Sequence, residues 1–196
     1  NLYTSVDDLA RFVSMLAAQG RALGGQVLSA GSLDQMITPQ LTGPGGAYGL
    51  GFGLGTFQGF KIIRHSGAVY GHSSMVAFLP EAKLGVVVLA NEDIVNARIQ
   101  RLANLALSLM LEAQRGVKPP KTPQSMALPP DALSALAGDY ESQSFWAELR
   151  AVDGRLTGTL SGQPVKLRPL DSLHFLADSR MHDAATLVFE RDGAGR

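Results

Sequence analysis

The 196-residue sequence contains no cysteine, which excludes a disulfide framework, a thiolate-held metal and a cysteine nucleophile. It has no surplus of charge either: Lys plus Arg and Asp plus Glu number 17 each. Neither a basic field for phosphate backbones nor an acidic tail is present, so no nucleic-acid partner is expected. No apolar run approaches the roughly 20 residues that cross a bilayer, so no membrane span is expected. The first residues lack the basic and apolar regions of a leader peptide. No carboxylate cluster accompanies the histidines, so the reading includes no metal and no organic cofactor.

What is present is ordinary for a folded globular chain: 45% apolar and 17% charged residues, enough for a buried core. The opening Asn1-Leu2-Tyr3, without an initiator Met, reads as the interior of a longer polypeptide. Ser5 with Asp8 three residues later caps a helix carrying Leu9, Phe12, Val13 and Leu16 on one face and ending near Gly20. Asp7 and Asp8 are simplest as carboxylates at the positive end of that helix. A second, short helix starts at Ser29 and stops before Pro39. Residues 41–60 hold eight glycines around Tyr48, Phe52 and Leu54 and read as one strand between tight turns. Core packing is the plainer role for Tyr48 and Phe52, with Tyr48 also a candidate substrate contact.

From Phe60 the apolar period changes to two. The runs FKIIRHSG, SSMVAFLP and LGVVVLAN read as three antiparallel strands, the last two joined at Pro80-Glu81-Ala82-Lys83. Val86–Leu89 is apolar enough for the centre of a sheet. Helical spacing from Ile94 to Glu112 predicts a long helix packed back on that sheet. Residues 115–130 then carry five prolines in sixteen positions and read as a semi-rigid connector. Short strand-like segments separated by Gly and Asp turns fill 131–196, with Asp153-Gly154 the clearest hairpin signal. The expected class is α+β: a first domain over 1–114, the connector over 115–130, and a small antiparallel, barrel-like β module over 131–196. Phe145 and Trp146 are expected in the core of that module.

Arg64–Ser74, RHSGAVYGHSS, packs two histidines, three serines and two glycines between apolar runs. A Gly at 67 between small residues lets a strand edge approach a ligand, and the N–H groups beyond it can donate to an oxyanion. Local Ser-His neighbours are poor nucleophile and base pairs, because residues one apart on a strand point to opposite faces.

Five segments in order, LYTSVDDLARFVSML, LSAGSLDQMITPQ, YGLGFGL, RHSGAVYGHSSMVAFLP and LGVVVLANED, resemble the C-terminal part of the serine β-lactamase and penicillin-binding-protein-like hydrolases. The likeness is to the class C and esterase branch, where His-x-Gly replaces Lys-Thr-Gly, and it covers roughly residues 1–112. LAGDYES and LVFERDG are similar to a small β-rich domain often appended to such enzymes. The resemblance implies that His65-Ser66-Gly67 is the third active-site motif, that the Ala68 N–H forms half of the oxyanion hole and that Ser66 binds substrate. His72 would either be hydrogen-bonded in its turn or border the cleft. The resemblance also implies a small-molecule or peptide acyl substrate and a periplasmic or secreted location.

The departure is as informative. No serine has a Lys three residues on, and the four tyrosines are followed two residues later by Ser5, Leu50, His72 and Ser142, so the Ser-x-x-Lys nucleophile and the Tyr-x-Asn motif are both missing. The expectation is a catalytically inert piece of a hydrolase, whose partner is a preceding segment of the same protein and whose uncovered apolar surface favours self-association. The competing class is a ligand- or cell-wall-binding module.

Overall fold

The computed structural model describes residues 2–43, 46–180 and 183–190. The chain divides into two compact units, Asn1–Pro120 and Lys121–Arg196.

The first unit opens with α1 (Val6–Ala17), whose Ser5 Oγ accepts the Asp8 N–H at 3.2 Å, satisfying one of the donors that a helix start leaves unpaired. It buries Val13, Met15 and Leu16. A hairpin not foreseen in the sequence, β1 (Arg21–Ala22) and β2 (Gly25–Gln26), leads to α2 (Ala30–Met36), capped by Ser29 Oγ from the Ser32 N–H at 3.0 Å. The glycine-rich segment then gives three strands where one was expected: β3 (Leu41–Gly43), β4 (Gly46–Tyr48) and β5 (Gly53–Phe57). Pro44 and Gly45 of that segment lie outside the described residues. The long strands β6 (Phe60–Val69), β7 (His72–Leu79) and β8 (Leu84–Ala90) complete a six-stranded antiparallel sheet in chain order. α3 (Asn96–Arg115) closes the unit.

Strand alternation sends neighbouring side chains to opposite faces, and here both faces are covered. Ile63, Phe78 and Leu54 pack with Val13, Leu16 and Leu33 on the side of α1 and α2. Ile62, Ala77 and Leu79 pack with Leu107 and Leu111, and Met75 with Ile99 and Ala103, on the side of α3. Each of the larger side chains among them contributes roughly 1.5–3 kcal/mol through burial. Val86–Leu89 does not form the sheet centre: β8 is the outermost strand, and these residues are half-buried. Their apolar character answers the two helices, since α1 lies on β8 at Gly85, where an added Cβ would collide with Val13. On the outer side of α3, Leu102, Leu105 and Leu109 are about half exposed. Among the described residues no helix is long and apolar enough to cross a membrane.

The second unit begins in the proline-rich stretch itself, for the Met126 N–H donates to Pro169 O at 2.9 Å and Leu128 packs on the core. A short helix, α4 (Pro130–Ser134), precedes an antiparallel meander: β9 (Gly138–Glu141), β10 (Trp146–Val152), β11 (Arg155–Leu160), β12 (Gln163–Pro169), β13 (His174–Asp178) and β14 (Asp183–Val188). Asp153-Gly154 turns β10 into β11 with positive φ at both residues, as does Ser161-Gly162 for the next hairpin. The sheet is an open half-barrel whose ends meet through side chains: Tyr140 of β9 contacts Phe189 beyond β14 edge to face at 5.7 Å. Phe175 and Leu156 fill the interior. Phe145 and Trp146 stand outside it: Trp146, 49% exposed, because Ala147 and Leu149 take the inward positions of β10, and Phe145, 61% exposed, because it precedes that strand. The end of the LVFERDG run lies outside the described residues.

Candidate active site

The site is built by strands of unequal length. β6 pairs with β7 from Ile63 to Val69, but with β5 only as far as Arg64, opposite Gly53. Both ladders close on two-residue turns, Phe57↔Phe60 and Val69↔His72, which fixes their hydrogen-bonding phase: Gly67 and Val69 direct their peptide groups to β7, while Ser66 and Ala68 direct theirs to the side β5 has vacated. The Ser66 and Ala68 N–H groups therefore line an open strand edge.

β5 stops at Gly53 because the chain before it folds away. The Leu50 N–H donates to Met36 O at 2.9 Å and the Gly49 N–H to Phe52 O at 2.8 Å. Gly49 lies so close to the Met36 carbonyl that a Cβ there would overlap it. Phe52 is buried on the face of α1 and α2, edge to face with Phe78 at 6.5 Å.

At the vacated edge lies an open concavity of about 300 Å³ lined by Tyr48, Arg64, His65, Ser66, Met75 and Gln100, together with Ala47, Gly53 and Leu54. His65 and Ser66 thus reach one hollow although alternation points them to opposite faces of β6. Tyr48 is 41% exposed and belongs to the wall, not the core: it shares a row with Gly53 and Arg64 across three strands, and the glycine leaves its ring room. Gly67 is half-buried and Ala68 exposed. His72 sits at the far end of the hairpin, exposed and outside the concavity. The hydrogen bond expected of its side chain in the turn is not formed; Gly71, with φ +77°, makes that turn by backbone alone.

Gln100 and Arg64 were not singled out in the sequence. Arg64 faces the same side as Ser66, which alternation could have shown. Gln100 and Asn96 are polar residues four apart beside the buried stripe Val95, Ile99 and Ala103, a spacing that places both on the side of α3 facing the sheet.

An antiparallel sheet covered by helices on both faces, with a small-residue strand end open to a cleft, is the framework of serine-hydrolase-like proteins. The chain belongs to the beta-lactamase family, whose model matches residues 1–109. No curated protein matches it. Among solved structures, an octameric penicillin-binding protein homologue from Pyrococcus abyssi aligns at 24% identity with a TM-score of 0.54, covering 95% of this chain and 44% of its own. Two structures of SurE, one with D-Leu, align at 24% identity with TM-scores of 0.42 and 0.43, covering 93% and 98% of this chain. The chain spans less than half the length of these proteins.

Proposed function

We propose that residues 64–75 form the oxyanion-donating and substrate-positioning wall of an acyl-transfer site acting on an amide, β-lactam or ester. The observation that carries this reading is the pair of Ser66 and Ala68 N–H groups facing an uncovered edge above a concavity that His65, Ser66 and Tyr48 border. In such a site a serine attacks the carbonyl, the developing negative oxygen accepts hydrogen bonds from fixed backbone donors, and the acyl-enzyme is then hydrolysed by water. Ala68 N–H supplies one of those donors. The Ser66 hydroxyl and the Tyr48 ring orient the acyl group, and His65 occupies the position of the usual cationic residue of the motif.

The attacking serine is not among these 196 residues, since none of their serines has the Lys that would accept its proton. The nucleophile therefore comes from sequence outside them, and the chain alone is inert. Exposed Leu102, Leu105 and Leu109 on α3 support self-association of the isolated chain. An exported location follows from the family resemblance.

Intact-mass spectrometry after exposure to a fluorophosphonate and, separately, to a penicillin tests the reading. The expected result is no adduct on this chain, with labelling of a longer polypeptide that adds a Ser-x-x-Lys segment. A covalent adduct on any serine of this chain would overturn it.

A further inference from the structure

The hydrogen bond from Asn96 Nδ2 to Gly67 O, at 3.0 Å, joins two elements 29 residues apart. Gly67 O and the Ala68 N–H belong to one planar peptide and point in opposite directions, so whatever fixes the carbonyl aims the N–H. We propose that Asn96 is a positioning residue for the Ala68 N–H: it holds the Gly67–Ala68 peptide from behind and directs the donor into the concavity. The proposal rests on the oxyanion reading above only for the use to which that donor is put.

This peptide needs holding. Beyond Arg64 the strand β6 has one neighbour, where at Ile63 and Arg64 it has two. Gly67 contributes no side chain to anchor it, and backbone freedom is greatest at glycine. Asn96 supplies the missing restraint from the side of β7. Two donors on one carbonyl, the partner strand and the Asn96 amide, also polarise the peptide and strengthen the N–H on its other side.

Asn96 in turn is held by features that local preference does not explain. Asn is among the best helix N-caps, yet here it stands one residue late: Val95 occupies the cap with no side-chain hydrogen bond, and the Asn96 amide is given to Gly67 instead. Ser73, 2% exposed, takes the Val95 N–H on its Oγ at 3.4 Å. Val95 itself is buried with Met75, Ile99 and Ala103. Just before it, Ile94 adopts φ +58°, a left-handed conformation that is strained for a β-branched side chain and persists only where the surroundings impose it. Three independent features, the displaced cap, the buried hydroxyl and the strained isoleucine, thus converge on the placement of one amide.

The test is solution NMR on the 196-residue chain with Asn96→Asp, which keeps the shape and removes the donor. The expected result is a shift of the Gly67 carbonyl ¹³C and Ala68 ¹⁵N resonances, with the Ala68 order parameter falling from about 0.85 to below about 0.6 while Ser74 and Met75 stay rigid. Asn96→Ser, which restores a hydroxyl donor, is expected to recover part of both signals. Ser73→Ala, which loosens Val95 but keeps the amide, is expected to give the same changes at smaller amplitude and provides the reading if Asn96→Asp does not fold. Unchanged Gly67 and Ala68 signals in the folded variants, or loss of order spread evenly over β6 and β7, would overturn the proposal. A serine adduct in the labelling experiment would remove the oxyanion role of Ala68 and leave these signals as they are, so the two failures are distinguishable.

Discussion

Both units of this chain are built on a six-stranded antiparallel sheet with its strands in sequence order, and the first has a concavity at a strand edge. In the second unit β10, β11 and β12 pair along most of their length, the shorter β9 leaves Arg150–Val152 of β10 without a partner on that side, and the ends of the curl meet through Tyr140 and Phe189. In the first unit β6 is ten residues long and β5 five, and the overhang leaves peptide N–H groups directed at solvent. Left-handed residues other than glycine are polar in both units, Gln19, Gln58 and Lys83 in the first among them, with one exception. The second unit confines them to polar hairpin tips, Asp153 and Ser161, whereas the first places Ile94 in that region beside the overhang. Overhangs occur in both units, and the one on β6 differs in carrying small residues beside a concavity, so that its free donors face a hollow.

The largest effect that would sharpen this contrast is expected in the core of the curled sheet. Phe175→Ala removes a fully buried ring and should cost about 3–5 kcal/mol, read in urea by the fluorescence of Trp146, the single tryptophan of the chain. A loss below about 1 kcal/mol would mean that the interior of the half-barrel is looser than its contacts show. Next come two glycines whose added Cβ would strike backbone. Gly158 lies against Glu148 O and Gly49 against Met36 O, and alanine at either should cost roughly 1–3 kcal/mol. The pair separates the units by consequence. Gly158→Ala should leave the Ser66 and Ala68 amide resonances in place, while Gly49→Ala should displace the turn that ends β5 and move them. Equal perturbation of those resonances by both would break the comparison.

The smallest effect is electrostatic. Asp171 Oδ1 accepts the Leu173 and His174 N–H groups at 2.8 Å each, and His174 Nδ1 lies at 2.9 Å. The Leu173 N–H first, then the His174 ring and N–H, hold its carboxyl down at about 2. A carboxylate depressed in the folded state stabilises above its unfolded value, near 3.9, and loses that contribution as pH falls through the folded one. Thermal unfolding of Asp171→Ala and of the unchanged chain should therefore differ above about pH 4 and converge toward pH 2. A difference that persists unchanged at pH 2 would contradict the assignment.

Much of the fold was legible because it depends on short-range rules. Ser5 and Ser29 cap their helices, Asp153-Gly154 turns its hairpin, and the period-two runs after Phe60 are strands. What the sequence misled on depends on which element covers which. Val86–Leu89 was apolar enough for a central strand, and a helix on each face of an edge strand produces the same pattern. Tyr48 and Trp146 were expected in cores and lie outside them, because the alternation that buries Ala47 and Ala147 turns their neighbours outward.

By itself, then, the sequence determined the main helices α1 to α3, the long strands from Phe60 onward, the place of the His65-Ser66-Gly67 strand, the family and the absence of a Ser-x-x-Lys nucleophile, since all of these are written in residue types and spacings. Only the tertiary structure decided that β5 ends at Gly53, that Gln100 and Tyr48 border the concavity, that His72 does not, and that Asn96 reaches Gly67. Each of these is a contact between residues brought together by sheet register and helix packing, and neither is encoded in the local pattern around the residues concerned.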